Sequence, residues 1–211
     1  MLEIRNETVA DRQAVEELTR RAFYNIYAPG CTEHYLVRIM REHGDFIPQL
    51  DLVALLDGEI VGNIMYTRAR LVDEQGQEKP ILTFGPISVA PEHQRRGYGK
   101  ALIEESFRRA AELGYDLVVI FGSPANYVAR GFQSCKRHNI CLEGGRFPAA
   151  MLVKELVPGV LDGRRWFYCD SPVMAVDESA ARQYDDTLPP MERKWLPSQE
   201  EFYIMSHSAL G

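Results

Sequence analysis

The sequence predicts an α/β chain built on a central mixed sheet, and two patterns predict it. First, the apolar run Leu52–Leu56 and the run Ile60–Ala69 flank Asp57-Gly58, the signature of an antiparallel hairpin with a tight turn. Second, an apolar strand ending Ile87-Ser88-Val89 passes through a glycine-punctuated turn into a helical pattern, and another strand, Leu117–Phe121, follows that helix. A strand–helix–strand unit makes two neighbouring parallel strands through a right-handed crossover. Antiparallel and parallel pairing together make the sheet mixed.

The remaining elements follow in order. Leu2–Arg5 reads as a short strand, and a helix starts near Thr8, where Thr8-x-x-Asp11 is an acidic variant of the capping box. Val15, Leu18, Ala22 and Phe23 recur at helical spacing and turn one face to the core. Residues Tyr24–Gly30 form a loop, and a second helix follows Thr32 through Tyr35, Leu36, Ile39 and Met40, ending before Gly44. The polar stretch Asp73–Glu78 connects the hairpin to the strand Leu82–Val89. In the helix Gly97–Leu113, Leu102, Ile103, Phe107 and Ala110 face inward, and Gly114 stops it. Further on, Met151–Val157 reads as a strand and Pro158-Gly159 as a turn, with loops at Gly144-Gly145 and Pro148. From Asp170 the chain carries four prolines among many charges, yet also Trp195, Phe202 and Tyr203. Such aromatics predict an extension that wraps over the core.

Composition narrows the function. A chain of 211 residues with 45% hydrophobic content buries one core and a modest appendage. Its formal charge is −6, with 24 basic against 30 acidic side chains, which excludes a general nucleic-acid binder. Cys31, Cys135, Cys141 and Cys169 are scattered, as are the five histidines, so we expect reduced thiols and no metal site. Met1–Arg5 lacks the apolar core of a signal peptide, and no apolar run approaches a membrane span. The expected location is the cytoplasm, with no membrane partner.

The chemistry concentrates at Gln94-Arg95-Arg96-Gly97-Tyr98-Gly99-Lys100. Glycine at two positions lets the unpaired N–H groups of a helix's first turn face an anion, with the helix dipole aiding. A P-loop is excluded, because no glycine stands at the required distance before Lys100 and Ala101 follows it. A dinucleotide fingerprint is excluded too, since Gly97-Tyr98-Gly99 continues without a third glycine. Arg95, Arg96 and Lys100 beside such a turn suit phosphate.

About thirty residues on, the strand Leu117–Phe121 runs into Ser123-Pro124-Ala125-Asn126-Tyr127, with Gly131-Phe132 shortly after. The pattern Gln-x-x-Gly-x-Gly after a strand, then a strand and a short helix bearing a tyrosine, resembles the GCN5-related N-acetyltransferase (GNAT) superfamily over roughly residues 1–135. The resemblance implies a GNAT-type acyl-CoA N-acyltransferase fold: a central mixed sheet, helices on both faces, and two parallel strands splayed at the CoA site. It implies a GNAT domain over residues 1–165 and a C-terminal extension, 166–211, packing on it. Acetyl-CoA is the implied cosubstrate, with backbone of Ile87, Ser88 and Val89 along its pantetheine arm, the turn Gln94–Lys100 on its pyrophosphate and Asn126 nearby. Tyr127 is the implied acid that protonates the departing thiolate, or else a wall of the channel. The acceptor is an amine of a small molecule or protein, and family members often form homodimers. A CoA or acyl-CoA sensor without turnover is the alternative. Glu33, Asp45 and Asp116 are candidates for the general base, each also readable as a plain surface charge. One departure from the family pattern is Ile120, where many members carry an asparagine. Specificity is expected from residues 28–34 and from the C-terminal extension.

Overall fold

Both residues of the Asp57-Gly58 turn take positive φ, 52° and 92°, the backbone that a two-residue hairpin needs. The computed structural model describes residues 1–211. In chain order the elements are β1 (Leu2–Asn6), α1 (Arg12–Phe23), α2 (Glu33–Met40), β2 (Leu52–Leu56), β3 (Glu59–Asp73), β4 (Glu78–Val89), α3 (Tyr98–Glu112), β5 (Leu117–Phe121), α4 (Pro124–Tyr127), β6 (Gln133–Ser134), β7 (Ile140–Cys141), β8 (Met151–Glu155), β9 (Trp166–Cys169), α5 (Glu178–Asp185) and α6 (Pro197–His207).

The strands form one nine-stranded sheet in the order β1-β2-β3-β4-β5-β8-β6, with β9 on the far half of β3 and β7 beside β9. β4 and β5 run parallel, and the other pairs along that path are antiparallel, so the sheet is mixed as expected. Helices cover both faces. α3 packs Leu102, Ile103 and Ala110 on Tyr66, Leu82, Phe84 and Val118. On the opposite face, Val15 of α1 and Leu36, Val37 and Met40 of α2 meet Val53, Leu55 and Met65. No helix is long and apolar enough to cross a membrane.

Two stretches differ from the sequence reading. The helix expected from Thr8 opens as a single 3-10 turn, Val9–Asp11, before α1 begins. Asp11 nevertheless caps as anticipated, accepting from the Thr8 amide at 2.7 Å and its hydroxyl at 2.6 Å. β3 and β4 also extend to Asp73 and Glu78, shortening the polar connection to a hairpin turn. Asp73 holds that turn by accepting from the amides of Gln75 and Gln77. The long ends survive because β9 pairs with Arg70–Asp73 and satisfies an edge that would otherwise be bare. Residues 166–169 therefore lie within the sheet, and the chain leaves it only after Cys169.

Where β1 leaves the sheet, two carboxyl groups are buried together. Glu7 lies 2.8 Å from Arg41, with both side chains almost wholly enclosed, and faces Asp51. Burial, with the neighbouring Glu7 charge, pushes Asp51 up to about 8. Between the ordinary 3.8 and about 8, the folded chain keeps a proton that the unfolded chain has lost. Stability therefore falls as pH rises through that window and levels off above it. We expect Asp51→Asn, which holds a neutral hydrogen-bonding group at all pH values, to flatten the decline of Tm between about pH 5 and pH 8. An unchanged slope in thermal unfolding would contradict the proton held by Asp51 in the folded chain.

Candidate functional site

β4 and β5 are paired only at Leu82 and Val118, although β4 continues beside β3 as far as Val89. The cause is local. The register against β3 slips between Ile64–Ile87 and Tyr66–Phe84, so that Gly85 and Pro86 together oppose Met65. Two residues against one make a bulge, which bends the strand and increases its twist. Beyond it Ala90 donates its amide to Val61 at 2.9 Å. Backbone direction alternates along a strand, so the Ser88 amide points toward β3 while those of Ile87 and Val89 point into the opening toward β5. The Ser88 side chain turns to α1, donating to Thr19 Oγ1 at 3.1 Å; Thr19 donates in turn to Asn63 at 3.3 Å. Gln94 reaches back to the same strand and donates to the Val89 carbonyl at 3.2 Å.

The turn after β4 ends at the start of α3. Gly97 has φ 92° and precedes the first helical residue, a left-handed conformation that favours glycine. The first helical bond runs from the Ala101 amide to the Gly97 carbonyl at 3.0 Å. The amides of Tyr98, Gly99 and Lys100 consequently have no partner within the helix. No acidic residue stands in that first turn, and Arg95, Arg96 and Lys100 are exposed around it. Lys100 leans 3.6 Å from Glu104. Tyr98 instead turns inward, its ring against the core and 6.0 Å from His93.

Two glycines that the sequence reading passed over set the spacing. A side chain at Gly62 would come 2.9 Å from the Ser88 carbonyl and 3.0 Å from Leu102, so Gly62 is what lets α3 lie close on β3 and β4. At Gly122, just after β5, a Cβ would stand 2.5 Å from the Tyr127 ring. That ring fills the space instead, between Phe84 at 5.8 Å and Phe132 at 5.6 Å. Their only signal in the sequence is a glycine interrupting an apolar strand or ending one.

Burial pushes the Tyr127 phenol well up, with Tyr27 adding to the shift. Asn126, beside it on α4, is exposed and its carbonyl accepts from Arg130 at 2.8 Å. Of the three base candidates, Glu33 heads α2 and accepts from the Thr32 amide at 3.0 Å. Burial raises its carboxyl, and its charge reaches Tyr27, which influences Tyr127. The other two are engaged elsewhere. Asp116 pairs with Lys79 at 2.6 Å at the start of β5, the end opposite Tyr127. Asp45 accepts from Ser171 at 2.8 Å. Tyr27, in the α1–α2 loop, lies near both Glu33 and Tyr127, and nothing in the sequence singled it out.

One surface cavity lies elsewhere, at the C-terminal end of α3 between Asn6, Gln49 and Arg109. Only one of its eight lining residues is hydrophobic, unlike the walls of a small-molecule site.

The site thus combines a helix start whose first amides have no partner within the helix, parallel strands paired at a single point and a buried phenol following β5. The model described as "Acetyltransferase (GNAT) family" matches residues 13–134. The uncharacterized N-acetyltransferase YhbS of Escherichia coli K12 is 30% identical over 161 residues, 76% of this chain and 90% of its own length. Its crystal structure in complex with CoA superposes with a TM-score of 0.70 at 26% identity, covering 82% of this chain and 91% of that one. A GNAT family acetyltransferase from Brucella melitensis, solved with acetyl-CoA, gives 0.65 at 22% identity over 82% of this chain and 98% of that one, a likeness of fold. The chain belongs to the GNAT acetyltransferase family.

We expect Gly62→Ala to cost about 1–3 kcal/mol of stability, because backbone on one side and Leu102 on the other must move. Gly44→Ala, where an added methyl meets open space, serves as the near-neutral control. Equal Tm values for the two variants would contradict the close-approach role.

Proposed function

We propose that this chain transfers the acetyl group of acetyl-CoA to a primary amine by direct attack within a ternary complex. The observation that carries this reading is the Tyr127 ring on α4, just past β5, packed on Phe84 of β4 beside the opening. The amides of Tyr98, Gly99 and Lys100, with Arg95 and Arg96, suit a diphosphate. The opening between β4 and β5, toward which the Ile87 and Val89 amides point, suits an extended amide-bearing arm.

Glu33 takes the proton that the acceptor's ammonium must lose, through water, its raised carboxyl being a stronger base than an exposed one. The neutral nitrogen then forms its bond to the acetyl carbon while a β4 amide facing the opening carries charge on the acetyl oxygen. As the carbon–sulfur bond breaks, Tyr127 donates its proton to the sulfur, the surplus proton on the attacking nitrogen passes to the Tyr127 phenolate through water, and the proton on Glu33 returns to solvent.

Tyr127→Phe keeps the ring packing on Phe84 and Phe132 and removes only the proton. We expect kcat to fall by about 10²–10⁴-fold, with the KM for acetyl-CoA nearly constant, followed by thiol release. A rate unchanged at saturating acetyl-CoA would rule out the acid role. For Glu33→Gln we expect loss of the rise of kcat/KM with pH that ionisation of a single carboxyl produces; an intact profile would remove Glu33 as the base.

A further inference from the structure

α6 buries a single residue, Gln199, yet it is tied down at both ends. At its start Gln199 Nε2 donates to the carbonyls of Asn25 and Lys194, both at 3.0 Å. Asn25 answers by donating to the Glu192 carbonyl at 2.9 Å and accepting from the Lys194 amide at 3.1 Å. Past its far end, the Ala149 amide donates to Ser208 at 3.0 Å and the Leu210 amide to Phe147 at 2.8 Å. Asn25 belongs to the α1–α2 loop that carries Tyr27. Ala149 leads into β8, whose Met151 opposes Phe121 at the end of β5. The helix therefore bridges the α1–α2 loop and the strand end from which Tyr127 follows.

Phe202 of α6 sets its ring 4.5 Å from that of Tyr27, and Phe23 flanks Tyr27 at 5.8 Å. Next to this aromatic wall, Glu33 is partly buried and accepts from the Thr32 amide, with no cationic side chain paired to it. A desolvated carboxylate without a cation is costly, and a ligand's ammonium removes that cost. Aromatic faces likewise favour a flat apolar body and a nearby cation. α6, fixed at both ends, holds Phe202 beside Tyr27.

We infer that the acceptor is a small-molecule primary ammonium with a flat apolar body, its body against Tyr27 and Phe202 and its nitrogen toward Glu33. The inference rests on the transfer point proposed at Tyr127 and adds to it the chemical class of the acceptor and the part α6 plays in choosing it. Phe202 is thus a specificity residue supplied from the C-terminal extension.

The test uses the full chain with acetyl-CoA and three probes: phenethylamine, n-butylamine and a short lysine-containing peptide blocked at its N-terminus. We expect kcat/KM for phenethylamine to exceed that for either other probe by about tenfold. Phe202→Ala should raise the KM for phenethylamine about fivefold to tenfold while leaving that for acetyl-CoA unchanged. Phe202→Leu, which keeps apolar packing should the alanine variant fail to fold, should give a smaller rise. A preference for the peptide, or a phenethylamine KM indifferent to both substitutions, overturns the inference and leaves the acetyl-transfer reading standing. If no probe is acetylated, the transfer reading fails, and calorimetric titration of phenethylamine into the CoA-saturated protein decides the inference separately. Binding weakened by Phe202→Leu supports it, and absence of binding overturns it.

Discussion

One extra residue in β4 shapes the functional half of the molecule. Because Gly85 and Pro86 together oppose Met65, β4 turns away from β5 while keeping its ladder with β3. Had the register run unbroken, β4 would follow β5 as far as Phe121, opposite Gly85, with Ile87 and Val89 next beyond it. The bulge instead leaves them directed into a gap. Gly62 brings α3 close to the same strand, so the free amides at the helix start and those of the strand fall on one continuous path.

A second constraint lies on the opposite face, where the C-terminal extension is locked to the first helices through a buried carboxylate. Asp185 accepts from Arg20 and Arg193, each at 2.7 Å, and lies 3.4 Å from His34. Removing one partner from such a cluster leaves an uncompensated buried charge, which is more costly than never having built the pair. Tyr24 adds a hydrogen bond to the Met191 carbonyl at 3.0 Å. α1, α2 and α5 are thereby joined to the segment that leads into α6, and the α1–α2 loop cannot shift independently of the extension. Order around Tyr27 and Glu33 thus comes from residues far along the chain.

These two constraints mark where reading the sequence succeeds and where it stops. The Asp57-Gly58 hairpin, the glycine turn into α3 and the end of that helix are set by neighbouring residues, and each is legible from its own few positions. The bulge is not, because it is a relation between Gly85-Pro86 and Met65 that exists only once β3 and β4 are paired. Gly62 and Gly122 were passed over for the same reason: what makes each a glycine is an atom of Ser88, Leu102 or Tyr127 brought in by folding. β9 looked like the start of an extension because its partners on β3 lie about ninety residues earlier. Among Glu33, Asp45 and Asp116, chemistry alone could not choose; burial and existing partners separate them. Tyr27 carried no signal at all, being one tyrosine in a loop.

The most direct measurement is amide hydrogen exchange of the protein with and without CoA, resolved at single residues. The account predicts slowed exchange at Ile87, Val89 and the run Gly97–Lys100, with the Ser88 amide, already directed toward β3, little changed. Protection confined to other parts of the surface, with these amides exchanging as before, would contradict it.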